Sequence, residues 1–241
     1  MTDHPATPPA GPVAGSPPPA AADPAAVPPS RSGAAGRPGA GGWLFGPGAT
    51  RAEQVFAWLA AAAGLAAVGV AALDLDWAWW QSLVAAVLVV DLAGGVVANG
   101  LDSAKRFYHG PPPAHLRATG RFLHHPVGFA AVHVQPIAIG LLFAGGVWWW
   151  GTLWWAVALA GTVLVNRLPA HLARPAALLV VTGTVFAAPA VPGPDGFWWL
   201  PAVLTLKLVL AHAVPERPHR THDASIIATT STVGRTSPNV R

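Results

Sequence analysis

The sequence predicts an all-α, polytopic membrane protein in which six spanning helices form a bundle between two disordered tails. Of its 241 residues, 53% are hydrophobic and only 10% are charged, whereas a soluble domain carries about 25% charged residues. The apolar residues also occur in runs that approach the ~20 residues a helix needs to cross a bilayer. Composition and run length therefore agree on a membrane protein.

Three regions follow from the composition. Residues 1–50 and 214–241 lack the aliphatic content to bury a core, so we predict disordered tails there. Residues 51–213 form the predicted six-helix transmembrane domain. Its spans are expected near residues 55–73, 78–99, 127–149, 152–168, 175–191 and 197–213.

The charges of the connecting segments alternate along the chain. The connectors near residues 74–76, 150–151 and 192–196 contain no basic residue, whereas those on the other side collect Lys105, Arg106, Arg167 and Arg174. Basic loops stay in the cytoplasm, so we predict that both termini are cytoplasmic. The excess of arginine over lysine, with abundant Ala, Gly and Pro, suggests a bacterial inner-membrane protein.

Tryptophan supports the same orientation. Of the twelve tryptophans, all but Trp43 and Trp58 fall at the ends of the predicted spans that are assigned to the outside. Indole rings prefer the headgroup level of a bilayer. We therefore predict an external tryptophan belt.

Polar residues concentrate in the opposite, cytoplasmic half, mainly between residues 91 and 133. Ionisable groups in lipid are costly and usually mark function. Asp91 and Lys207 are the candidate catalytic residues, and they lie at similar predicted depths on helices that run in the same direction. Two opposite charges at one depth are expected to pair, with Gly94 and Gly95 permitting close approach. In the alternative, Lys207 extends to the surface alone while Asp91 binds a metal or a polar neighbour.

Histidines supply the second set of candidates. The chain has no cysteine, which excludes disulfides and thiolate metal sites, while imidazole and carboxylate suit iron or zinc. The predicted metal ligands are His109, His124, His125 and His133, and Pro136 is expected to bend the helix beside His133. The alternative for each ring is a structural, hydrogen-bonded role, and a b-type haem between His133 and His212 is a further one. A lower-ranked polar set comprises Asn99, His115, His171, His212, Lys105 and Arg106.

This region resembles the histidine-motif membrane desaturases and hydroxylases, and among them the plasmanylethanolamine desaturases. The matching elements are Asp91 with Gly94 and Gly95, the His124–His125 pair, and His133. The resemblance implies two irons bound by these histidines at the cytoplasmic side, for oxygen-dependent lipid chemistry. The chain contains no HxxxH motif, and its only HH pair is His124–His125.

Taken together, these features predict a multi-pass membrane protein with metal-dependent chemistry on a lipid or another membrane-soluble substrate. The alternatives are a non-enzymatic scaffold, a small transporter or a haem protein. Membrane lipids are the expected partners. Nucleic acid is not, because basic and aromatic residues do not interleave as they do in a nucleic-acid groove.

Overall fold

The described part of the chain consists of helices and contains no strand, which confirms the all-α prediction there. The fold is taken from a computed structural model that describes residues 42–114, 116–143 and 147–215. Most of both predicted tails, and His115, lie outside the described residues. The helices are α1 (Gly42–Phe45), α2 (Arg51–Ala71), α3 (Trp79–Gly100), α4 (Asp102–His109), α5 (Ala118–His124), α6 (Pro126–Ala131), α7 (Gln135–Leu142), α8 (Trp148–Arg167), α9 (Ala170–Ala187, extended by the 3-10 turn Ala188–Ala190) and α10 (Leu200–His212).

Four of these helices are long and apolar enough to cross a membrane: α2, α3, α8 and α9 with its extension. A fifth span results if α5 and the bent segment that follows it are counted together. The prediction of six continuous spans is therefore wrong, and the differences lie in the third and sixth segments.

The third predicted segment, 127–149, is not one helix. The chain bends by 93° between Ala118–His124 and Pro126–Leu142, and it breaks again between α6 and α7, beside His133. Pro136 lies in the first turn of α7, where its missing N–H costs no helical hydrogen bond. The helix is interrupted beside His133, and Pro136 lies at the start of the next helix instead of bending a continuous one.

The sixth segment is shorter than predicted because its first residues form a turn instead of a helix. Gly196 has φ 84°, and the indole Nε1 of Trp199 donates to its carbonyl oxygen at 2.9 Å. Phe197 and Trp199 are buried in this turn. Helix α10 therefore begins only at Leu200.

Helix α3 ends at Gly100 because Leu101 has an extended backbone, with φ −67° and ψ 143°, and α4 begins as a separate helix at Asp102. The end of the predicted N-terminal tail packs against this helix, since Ser103 Oγ donates to the carbonyl oxygen of Phe45 at 2.6 Å. Residues 42–50 thus belong to the folded part.

Two ends of the bundle differ in chemistry. At the tryptophan end, the connectors that follow α2, α7 and α9 pack Trp77, Phe143 and Phe197 together, with ring centroids 4.5–5.3 Å apart. The opposite end carries Lys105 and Arg174 and is called the basic end. Asp91 and Lys207 lie between the two ends.

Candidate functional site

Asp91 on α3 and Lys207 on α10 form an ion pair. Lys207 Nζ lies 2.8 Å from Asp91 Oδ1, so the predicted pairing is confirmed and the alternative of an isolated lysine is wrong. An unpaired charge within an apolar bundle would cost several kcal/mol. The pair is therefore a strong constraint on how α3 and α10 cross.

Both partners lie in π-helical turns. Asp91 belongs to the turn Val90–Gly94 and Lys207 to the turn Leu206–His212. A π turn closes its hydrogen bonds between residues five apart and is frequent at functional sites. In an α-helix, Lys207 and His212 would lie about 140° apart around the axis. The wider turn brings them nearer to one face.

Gly95 leaves the space that the Lys207 side chain fills. A Cβ at Gly95 would lie 2.6 Å from Lys207 Cε and 3.1 Å from its Nζ. The neighbouring Gly94 faces the other way, toward Ala61 of α2. The two glycines therefore let α3 approach a different helix on each side, and only Gly95 serves the ion pair.

The two charges differ in burial. The Lys207 side chain is 4% exposed, whereas the Asp91 side chain is 45% exposed. The ammonium is thus enclosed, and the carboxylate opens onto the outside of the bundle. This asymmetry makes Asp91 the accessible member of the pair.

His133 lies next to the pair. It is buried and within electrostatic range of both Lys207 and Asp91. Its Nδ1–H donates to the carbonyl oxygen of Phe129 at 2.6 Å. With the proton on Nδ1, the Nε2 atom carries the lone pair and is able to accept a proton.

Beyond His133, histidines and aromatic rings form one contiguous group toward the basic end. Phe129 stacks on His212 at 4.0 Å and contacts His133 at 4.5 Å between centroids. Tyr108 contacts both His212 and His124, at 4.7 and 5.8 Å. We call this group the histidine–aromatic cluster; its members are Phe107, Tyr108, His109, His124, Phe129, His133 and His212.

Two residues of α4 position the edge of this cluster. The Nε2–H of His109 donates to the carbonyl oxygen of His212 at 2.9 Å. Burial lowers the pKa of His109, and the charge of Lys105 acts in the same direction, whereas the bond to His212 opposes it. Burial also raises the pKa of Tyr108. Both rings are therefore held in their neutral forms near pH 7.

The four predicted metal ligands do not converge. His125 is exposed, and its Nδ1 accepts from the N–H of Val127 at 3.2 Å as a helix cap. His124 packs on Phe107, and its Nε2 has no hydrogen-bond partner among the described residues. Within residues 42–114, 116–143 and 147–215, no group of three or more His, Cys, Asp or Glu is arranged to hold a metal. The geometry gives the iron or zinc site no support, and it stays a prediction.

The haem alternative is no better supported. If His133 and His212 were the two axial ligands, the haem would have to lie between their rings. Phe129 packs against both rings instead. A structural role for Phe129 explains the arrangement without a cofactor. The Nε2 of His212 is buried and has no partner in the described part of the chain.

The described residues of the lower-ranked set do not lie together. Asn99 is buried with its Nδ2 unpartnered among the described residues, and Lys105 Nζ donates to the carbonyl oxygen of Val214. His171 and Arg106 are exposed at the basic end, apart from the cluster. Of this set, His212 is the one that the structure places at the centre of the site.

Tyr108 and Phe129 were not predicted as site residues. Both are ring-stacking neighbours of His212. The signal for Phe129 is its position four residues before His133, since side chains at this spacing meet on a helix surface. No sequence pattern marks Tyr108.

Comparisons with known proteins add no family assignment: no family model, curated protein or solved structure matches the chain. The resemblance to the desaturases therefore stays a prediction.

Proposed function

We propose that this chain is a polytopic protein of the bacterial inner membrane, with the basic end in the cytoplasm. The outward faces of the long helices support this proposal. Phe56 on α2 is 64% exposed and Phe186 on α9 is 79% exposed, and large exposed apolar surfaces mark membrane or partner contacts. The arginines at one end and the tryptophans at the other support the proposed orientation.

We further propose that the site performs acid–base chemistry on a membrane-soluble substrate. The observation that carries this proposal is the ion pair, in which a buried ammonium holds an accessible carboxylate at 2.8 Å. A substrate that approaches through the lipid meets Asp91 first. The nearby charge of Lys207 then stabilises negative charge that develops on the substrate as Asp91 takes its proton.

His133 and the histidine–aromatic cluster connect this pair to the basic end. Phe129 contacts both His133 and His212, and His109 follows His212 toward the basic end. In the proposed mechanism the proton that Asp91 takes exchanges with solvent, and Asp91 returns a proton to the substrate, so the substrate keeps no net charge.

The one-sided distribution of polar groups favours such chemistry over transport. Between Asp91 and the tryptophan end, the buried core consists of apolar residues such as Leu88, Trp150 and Leu200. No buried ionisable side chain lies in that direction among the described residues. A proton or ion path across the whole membrane would need polar groups in both halves.

The test uses the purified protein in liposomes made from a bacterial polar lipid extract. The liposomes are incubated in deuterated buffer, and the lipids are analysed by untargeted mass spectrometry. The parent protein should generate a product, or place deuterium on carbon, in at least one lipid species, and Asp91→Asn should abolish the change. Asp195→Asn is the matched control, because Asp195 lies exposed at the tryptophan end.

Two outcomes would contradict the proposal. One is a lipid profile identical to that of protein-free liposomes. The other is equal labelling by the parent and by Asp91→Asn, which would place the chemistry elsewhere.

A further inference from the structure

A separate cleft lies at the basic end and is lined by residues of α4, α9 and α10. Its volume is about 420 Å³. Asp102, Lys105 and Arg174 line one part of it, and Leu178, Leu210 and Val214 line another. It contains neither Asp91 nor a member of the histidine–aromatic cluster.

The charged part of the cleft suits a phosphate. Arg174 is exposed, lines the cleft, and makes no hydrogen bond or ion pair with the described part of the chain, so its guanidinium N–H donors have no acceptor among the described residues. Lys105 Nζ donates to the carbonyl oxygen of Val214, which fixes the ammonium at the cleft wall. Among the described lining residues, Lys105 and Arg174 are cations and Asp102 is the one carboxylate, so these residues carry a net positive charge.

The apolar part of the cleft continues the same face of α9. Leu178 follows Arg174 by four residues, so the two side chains are neighbours about 6 Å apart along the helix. Leu178 is 47% exposed, and it faces the apolar wall formed by Leu210 and Val214. A ligand that fills the cleft would contact cations at one end and aliphatic side chains at the other.

We propose that this cleft binds the phosphate-bearing headgroup of an anionic phospholipid, with the first part of an acyl chain against Leu178. A free phosphate ester shares the headgroup chemistry, but it would leave the apolar wall unoccupied. Guanidinium pairs with phosphate oxygens through two parallel bonds, and Lys105 adds a second charge. The proposal rests on the membrane placement proposed above but not on the chemistry at Asp91.

Native mass spectrometry of the full chain released from detergent tests the site. The protein is titrated with phosphatidylglycerol, with phosphatidylcholine, and with glycerol 3-phosphate as the soluble phosphate. We expect phosphatidylglycerol adducts to form at the lowest concentration. Arg174→Gln should weaken them about tenfold, the loss expected for a charged hydrogen bond, and Arg174→Lys should restore only part of the affinity.

Arg106→Gln is the matched control, because Arg106 follows Lys105 in α4, carries the same charge and does not line the cleft. If Arg174→Gln and Arg106→Gln lose phosphatidylglycerol affinity equally, the lipid binds through general surface charge and not through the cleft, which would overturn the proposal. Glycerol 3-phosphate binding as tightly as the lipid would also overturn it, in favour of a soluble ligand. Asp91→Asn should keep its phosphatidylglycerol adducts, so failure of the lipid site and failure of the catalytic site are separable. A thermal unfolding curve for each variant confirms that it is folded.

Discussion

Gly95 and Lys207 lie against each other where α3 crosses α10, and the missing side chain of Gly95 provides the space through which the lysine reaches Asp91. The ion pair therefore depends on a third residue that carries no charge. This dependence makes the pair testable by changing its electrostatics and, separately, by changing its packing.

The first prediction concerns the coupling between the two charges. Asp91→Asn leaves the buried Lys207 without a counter-charge, which for a fully buried pair costs about 3–5 kcal/mol; the partial exposure of Asp91 should reduce this to about 2–4 kcal/mol. Lys207→Met should also destabilise the protein. The double variant should cost less than the sum of the two, by about 1–3 kcal/mol. Unfolding in mixed micelles measures all four free energies, and strict additivity would contradict the pairing.

The second prediction concerns the packing beneath the pair. In Gly95→Ala, the new Cβ would displace the aliphatic chain of Lys207, whose end is held by Asp91. We expect a loss of about 1–3 kcal/mol, as for other overpacked sites. The coupling between Asp91 and Lys207 should shrink in this background. Gly183→Ala is the control, because its Cβ meets nothing within 4 Å, and it should be neutral or stabilise α9 by up to about 1 kcal/mol.

The third prediction concerns the close crossing of α7 and α8. A Cβ at Gly151 would collide with the backbone carbonyl of Pro136, and backbone cannot move aside as a flexible side chain can. Gly151→Ala should therefore destabilise the protein more than Gly95→Ala does. It should also disturb the break beside His133. Thermal unfolding in the same micelles measures the effect. Near-native stability of Gly151→Ala would contradict the close approach of α8 to the backbone of Pro136 in α7.

The fourth prediction is a pH dependence. The folded-state pKa of His109 is lowered by burial, so the unfolded chain binds this proton more readily than the folded one. The stabilising effect is present above the unfolded pKa of about 6.5 and is lost as the pH falls below it. The unfolding temperature should decrease between pH 7.5 and 5.5, and less so in His109→Gln. His171→Gln, at an exposed histidine, should follow the parent; equal pH curves for parent and His109→Gln would refute the assignment.

The fifth prediction concerns topology. Reporter fusions after Asp76, Val147 and Gly193 should be external, and fusions after Pro113, Pro169 and Arg217 should be cytoplasmic, because basic residues stay inside. This layout requires that the bent α5–α7 segment and the short helix α10 each carry the chain across the bilayer once. The second external fusion follows Val147 because the connector predicted near residues 150–151 lies within α8, which begins at Trp148. One connector on the opposite side would overturn the proposed orientation.

The ion pair was predictable from sequence although its partners are 116 residues apart. The reason is energetic: lipid makes an unpaired charge so costly that two opposite charges at one depth have few other arrangements. The depth follows directly from the 1.5 Å rise per residue. Gly94 and Gly95 indicated a close approach, but not which glycine faces which helix.

The arrangement around His212 was not predictable in the same way. Its place in the cluster depends on a π turn in α10 and on the break between α6 and α7. Both are local departures from α-helical geometry that tertiary packing selects, so a period of 3.6 residues assigns His212 to the wrong face. Tyr108 gives no distinct signal, and Phe129 gives only its spacing of four residues from His133, because aromatic residues in an apolar sequence resemble ordinary core.

The grouping of tryptophans at one end has a spectroscopic consequence. With Trp43 and Trp58 replaced by phenylalanine, the intrinsic fluorescence would come from the tryptophan end and from α8 near it, while the Asp91–Lys207 pair would remain without a fluorophore of its own. Binding at the basic end should then leave the emission unchanged unless the helices transmit a displacement along their length. The tryptophan emission of this double variant would therefore report, without an added label, whether binding at the basic end changes the structure at the tryptophan end.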